Sequence, residues 1–148
     1  MERRTYPDSP IVGVGAVVLS GGSVLLVKRG KPPLSDSWSL PGGRVNEGES
    51  LKAAVAREVR EECSVDIEVF DLIKPYEYIE RDADGKVKFH YFVFDFRAEY
   101  RGGSLAALTD VLDARWVERG DLGRYALTDA AREIIEEGFR IASSRRYP

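Results

Sequence analysis

From Ser50 to Cys63 the chain has helical spacing, but its acidic residues lie on the side a helix normally buries. With Leu51 at zero and roughly 100° per residue, Val55 falls near 40°, Ala54 near 300°, Glu58 near 340°, Glu62 near 20° and Glu61 near 280°. Lys52, Ala53, Ala56 and Arg60 occupy the opposite side. Two glutamates therefore share the meridian of the apolar stripe, and a third flanks it. Glu58 and Glu62 repel at (i, i+4), and turning them inward adds desolvation. Arg57, near 240°, can pair with Glu61, yet one arginine does not neutralise three carboxylates. A bound divalent cation does, and clustered oxygens suit Mg²⁺ or Mn²⁺ with substrate phosphates completing the shell. A helix whose inward end simply dips into solvent would carry the same pattern.

The flanking segments supply the sheet. Ile11–Leu19 and Val24–Lys28 are β-rich runs joined by Ser20-Gly21-Gly22-Ser23, a hairpin signal. Gly30–Ser37 is a loop held extended by Pro32 and Pro33. Strands are expected at Val65–Ile73, Lys86–Phe96 and Ala114–Val117, with an Asp-Gly turn at Asp82–Gly85. Thr128–Ile141 closes the chain as a helix, with Ala131, Ile134, Ile135 and Phe139 at helical spacing. Phe92, Phe94 and Phe96 alternate along their strand as core residues would. Strands mixed with two helices predict an α/β layer fold around one sheet, with residues 1–148 as a single domain.

Composition narrows the function classes. A chain of 148 residues with 43% apolar and 32% charged residues reads as soluble and globular. A net charge of −3 without a basic block argues against a nucleic-acid binder. One cysteine excludes an intramolecular disulfide framework and suits a reducing, cytoplasmic setting. The apolar run Ile11–Leu19 is too short for a membrane helix and reads as a strand, not a signal-peptide core.

Several motifs are near misses. Gly13-Val14-Gly15 lacks the third glycine of a dinucleotide fingerprint and reads as a glycine-tolerant strand. Gly43–Ser50 is a P-loop pattern with Glu49 in place of the lysine, and a carboxylate there would repel the phosphates. Asp82–Gly85 lacks the later ligands of a calcium loop. His90, the single histidine, sits inside an aromatic strand and reads as packed, and Cys63 has no activating partner.

Gly43, five residues, Glu49, seven residues, then Arg57-Glu58-Val59-Arg60-Glu61-Glu62-Cys63-Ser64-Val65 resembles the Nudix box, G-x5-E-x7-R-E-U-x-E-E-x-G-U with U apolar. The late glycine is Ser64 here; every other defined position matches. Trp38-Ser39-Leu40-Pro41-Gly42-Gly43 resembles the approach to that box. The resemblance implies a Nudix-like α/β/α sandwich around a mixed sheet, with the box at residues 43–65. It also implies a small nucleotide substrate and, usually, a homodimer. On that resemblance Glu58, Glu61, Glu62 and the Gly43 carbonyl hold Mg²⁺ or Mn²⁺. Arg57 orients the glutamates and Glu49 braces Arg57. The base that deprotonates water is expected to be Glu61, or else Asp110 or Asp113 on a later loop. Arg29, Lys31 and Arg44 lie near the expected phosphate path.

The segments Tyr6-Pro7 to Val18, Lys28–Pro33 and Asp82–Tyr91 resemble small ADP-ribose pyrophosphatases of the same family. Such enzymes release AMP and ribose 5-phosphate. A proline found past the box in many of them is replaced by Glu80, with Pro75 earlier. Alternatives are an oxidised-nucleotide triphosphate pyrophosphatase, a dinucleoside polyphosphate hydrolase, or a silent ligand-sensing module. The complete set of glutamates opposes the last of these. Tyr76, Tyr78 and Tyr125 read as packing residues, with base stacking the other possibility.

Overall fold

A computed structural model describes residues 3–32 and 35–146, so Pro33 and Leu34 of the loop expected at Gly30–Ser37 lie outside the described residues. Seven strands and two helices follow in chain order: β1 (Ile11–Ser20), β2 (Ser23–Arg29), β3 (Trp38–Ser39), β4 (Gly42–Arg44), α1 (Leu51–Cys63), β5 (Asp66–Arg81), β6 (Val87–Gly102), β7 (Val111–Glu118) and α2 (Asp129–Arg146). A short 3₁₀ helix, Arg119–Arg124, precedes α2.

β1 is the axis of the sheet. It runs parallel to β6 from Ile11 to Leu19. On its other edge it pairs with β2 only at the hairpin, Leu19 with Val24 and Ser20 with Ser23. β4 takes over that edge at Gly13–Gly15. β2 swings away to pair along its length with β7, and at its end with β3. The sheet is therefore split between the start of β1 and the end of β2, and the cleft opens at the split.

Alternation along β1 and β2 explains why both are almost wholly apolar. Val14, Ala16, Val18, Leu25 and Val27 face α1, where Ala54, Val55, Val59 and Cys63 meet them. Val17, Leu19, Val24 and Leu26 face Ile134, Ile135 and Phe139 of α2. A sheet covered on both faces needs continuous hydrophobic strands. The expected α/β/α sandwich is the observed one. No described helix is long and apolar enough to cross a membrane.

Local signals fix the element ends. Ser50 caps α1, its hydroxyl accepting from Ala53 N–H at 3.1 Å, and Thr128 does the same for α2 through Ala131 N–H. Ser64 ends α1 in the left-handed conformation (φ 61°) that the family pattern gives to glycine. The Asp82–Gly85 turn forms as expected, Asp82 Oδ1 accepting from the N–H groups of Asp84 and Lys86. Three strands outrun their expected bounds. β5 continues through Pro75 to Arg81 and β6 reaches Gly102, because the two pair as one long hairpin that sequence periodicity does not reveal. β7 begins at Val111 because it pairs with β2 as far as Arg29, and α2 runs past Ile141 to Arg146. Phe92 is a correction: it is 37% exposed, on a part of the sheet that neither helix covers, whereas Phe96 is buried and Phe94 packs against the α1-side core.

Candidate active site

The box helix reaches the cleft through β4. Gly43 pairs with Val14, and a Cβ on it would lie 2.4 Å from the Glu58 carboxyl carbon. Glycine is thus required for Glu58 to press against the strand. Glu62 lies one turn further along, its Oε1 accepting the Gly42 N–H at 2.9 Å. Arg57 is the hub of the cluster. Its Nε and Nη2 grip Glu49 at 2.7 and 2.9 Å, Nη2 also donates to the Arg44 carbonyl at 2.8 Å, and Nη1 donates to Glu58 and Glu61 at 2.9 and 3.1 Å. The grip on Glu49 is the two-pronged geometry that arginine offers and lysine does not.

The electrostatics follow from this arrangement. Arg57 and the Asn46 N–H hold Glu49 down at about 2. Burial raises Glu58 against the opposing pull of Arg57. Burial, with the like charge of Glu58 adding to it, pushes Glu62 up to about 8 despite the Gly42 N–H. Glu61 stays open to water, its side chain 53% exposed, and is not among the cleft-lining residues. Two desolvated carboxyls side by side, one holding its proton to an unusual pH, is the arrangement expected where a cation is to be received. Among the described residues no three acidic, histidine or cysteine side chains form a ready-made cage. The oxygen-only donors beside the bare backbone of Gly42–Gly43 fit a hard divalent ion, which needs one or two carboxylates and keeps water or substrate oxygens in its shell.

The structure sorts the remaining candidates. Arg29, Lys31 and Asp110 line the cleft with Glu58 and Glu62. Lys31 pairs with Asp110 at 2.8 Å. Asp113 points elsewhere, bonded to Arg115 and the Ala114 N–H. Arg44 is not among the cleft residues, although its carbonyl helps hold Arg57. Tyr76 and Tyr78, expected as packing residues, also line the cleft, whereas Tyr125 packs edge-on against Trp38. His90 stands edge-on to Phe92, away from the cleft. Cys63 is buried and its thiol is pushed up to about 12, so it is inert.

Sequence reasoning missed two contributors. Arg4 lines the cleft and its charge favours ionised Glu58, but nothing in the N-terminal segment points there. Asp95, 2% exposed on β6, faces the cleft from the α2 side. Its one sequence signal is an aspartate between Phe94 and Phe96 in an otherwise apolar strand.

An α/β/α sandwich that delivers an Arg57-held glutamate cluster to a split in its sheet defines a class of hydrolase. The model of the NUDIX domain matches residues 9–138, and the chain belongs to the Nudix family of hydrolases. It is 32% identical over 117 residues to an ADP-ribose pyrophosphatase of Methanocaldococcus jannaschii, covering 79% of this chain and 67% of that protein. It is 36% identical over 111 residues to the 8-oxo-dGDP phosphatase NUDT18 of Danio rerio, covering 72% of this chain but only 31% of the relative. The MutT Nudix hydrolase of Burkholderia pseudomallei superimposes with a TM-score of 0.74 at 30% identity, covering 88% of this chain and 98% of that one.

Proposed function

We propose that this chain hydrolyses the diphosphate of a nucleoside diphosphate linked to another moiety, and that ADP-ribose is the substrate, giving AMP and ribose 5-phosphate. The observation that carries the reading is the desolvated Glu58–Glu62 pair against bare backbone in a cleft that Trp38, Tyr76, Tyr78 and Tyr91 also line. The similarity to the archaeal ADP-ribose pyrophosphatase supports the choice of substrate. Glu58, Glu61, Glu62 and the Gly43 carbonyl would hold Mg²⁺ or Mn²⁺. When bound, such an ion neutralises the diphosphate and acidifies water.

The protein's own residues do the rest. Arg57 fixes Glu58 and Glu61 in place, and Glu49 fixes Arg57. Arg29 lines the cleft with Glu58 and Glu62 and would meet the phosphates. Glu61, open to water, takes the proton of the attacking water. The water oxygen bonds to phosphorus, the bridging P–O bond breaks, and the electron pair leaves with the departing phosphate. Asp113 faces away, bonded to Arg115, which leaves Asp110, paired with Lys31 in the cleft, as the alternative base.

Turnover of ADP-ribose, NADH, diadenosine polyphosphates, dNTPs and oxidised dGTP with Mg²⁺, with products separated by chromatography, tests the proposal. AMP and ribose 5-phosphate from ADP-ribose at the highest kcat/KM is the expected result. Preferred cleavage of an oxidised nucleotide would overturn the substrate and favour the activity named for the zebrafish relative. Binding without turnover of anything in the panel would indicate a sensing module.

A further inference from the structure

Asp95 has no part in the chemistry above, yet the fold makes room for it. It stands beside Gly15 in the β1–β6 pairing, and a Cβ on Gly15 would lie 2.2 Å from Asp95 Oδ1. Its Oδ2 is buried without a hydrogen-bond partner among the described residues. Arg97, two residues along and equally buried, offers the contrast: it pairs with Asp71 and Glu99. A buried carboxyl with no partner in the protein destabilises the fold, so its retention in a cleft points to a partner from outside. Burial pushes the Asp95 carboxyl up to about 7.

The neighbours decide which part of a substrate meets it. Tyr76 pairs with Val93, two residues from Asp95 along β6, and packs on the α2-side cluster with Ile134; all of these line the cleft. These walls suit a flat heterocycle. In the reading above the diphosphate lies beside Glu58, Glu62 and Arg29, which leaves Asp95 to the base. We propose that Asp95 is the specificity-determining residue for the nucleobase, and that it hydrogen-bonds the amino-bearing edge of adenine. The proposal rests on the nucleoside diphosphate reading and adds to it the contact that selects the base. The exocyclic amine donates to one carboxyl oxygen; when Asp95 carries its proton, the adjacent ring nitrogen accepts it. Purine riboside, with a hydrogen in place of the amine, offers no donor to that oxygen.

Titration calorimetry of the full chain with AMP and with purine riboside 5′-monophosphate, for wild type, Asp95→Asn and Asp95→Ala, tests this without relying on turnover. Wild type should prefer AMP by about 10-fold or more, the scale of one lost buried hydrogen bond. Asp95→Asn keeps an oxygen for the amine and should keep the preference. Asp95→Ala should weaken AMP about 10-fold and lose the preference. Should the alanine variant fail to fold, the nearly isosteric but apolar Asp95→Leu decides in its place. On ADP-ribose the apolar variant should raise KM while kcat stays within about 3-fold, because the contact is remote from the breaking bond. A preference for AMP unchanged in the apolar variant would overturn the proposal, as would equal weakening of both nucleotides or no AMP binding at millimolar concentration. A ratio that shifts as expected, in a chain that does not cleave ADP-ribose, would leave the base contact standing and remove the substrate assignment.

Discussion

Glu62→Gln separates a cation-receiving site from a merely structural helix. Unfolded, Glu62 gives up its proton near its ordinary 4.5; folded, burial holds the proton on until about 8. Between those values the folded chain binds the extra proton, so stability falls as pH rises across that window and is level above it. At pH 7 the pH stands 2.5 units above 4.5, which at about 1.36 kcal/mol per unit is a penalty of roughly 3 kcal/mol. Residual contact of the carboxyl with water reduces it to ~1–3 kcal/mol. Glutamine keeps an oxygen for the Gly42 N–H and sheds both the penalty and the repulsion from Glu58. In chelator, the variant should melt several degrees above wild type at pH 8 and equal it near pH 4.5, at about 2–4 °C per kcal/mol for a chain of this size. With Mg²⁺, turnover should fall on the order of 10²-fold, because a charged ligand has been replaced by a neutral one. Thermal melts across pH in chelator, run beside kinetics in Mg²⁺, give both readouts. A variant that melts lower than wild type in chelator and hydrolyses substrate at the wild-type rate would refute the reasoning.

The remaining predictions are independent of one another. Turnover should require a divalent metal and be fastest at alkaline pH, because the nucleophile is hydroxide-like water and the ligands must be ionised; activity persisting in excess chelator after verified metal removal would contradict this. Ser64→Gly should raise stability by up to about 1 kcal/mol or leave it unchanged, since Ser64 is left-handed (φ 61°) and only glycine adopts that region freely. A clear fall in its melting temperature would mean that α1 ends differently. Gly15→Ala should cost about 1–3 kcal/mol through the clash with Asp95. Adding Asp95→Ala should recover most of that loss, a non-additivity measurable by a double-mutant cycle.

Whatever depends on local periodicity was legible in the sequence: α1, the β1–β2 hairpin and the closing helix. The inward-facing glutamates were visible on the helical wheel before any pairing partner was known, and the Glu49–Arg57 brace followed from the family pattern. Long-range pairing was not legible. Pro75 suggests a strand end, yet β5 continues past it, bulged, because β6 supplies a partner as far as Arg81. Phe92 alternates like a core residue but lies where no helix covers the sheet. Tyr76 and Tyr78 could not be told from packing residues because only the split between β1 and β2 makes a cavity for them.

The same split changes the meaning of Gly13-Val14-Gly15. As a sequence it reads as a strand that tolerates glycine, but the two glycines are not equivalent. A Cβ on Gly13 would meet nothing nearer than 3.4 Å, an ordinary contact. A Cβ on Gly15 would strike Asp95 from the α2 side of the sheet, and one on Gly43 would strike Glu58 from the α1 side. Two carboxyl groups thus approach a glycine-lined stretch of backbone from opposite faces, one toward the phosphates and one toward the base in the reading proposed above. A side chain at Gly43 would displace the first and one at Gly15 the second, whereas Gly13→Ala should cost neither stability nor activity. Comparing these three alanine variants tests whether the missing side chains at Gly15 and Gly43 are what open the two ends of the cleft. Equal behaviour of all three would show that the glycines serve the strand alone.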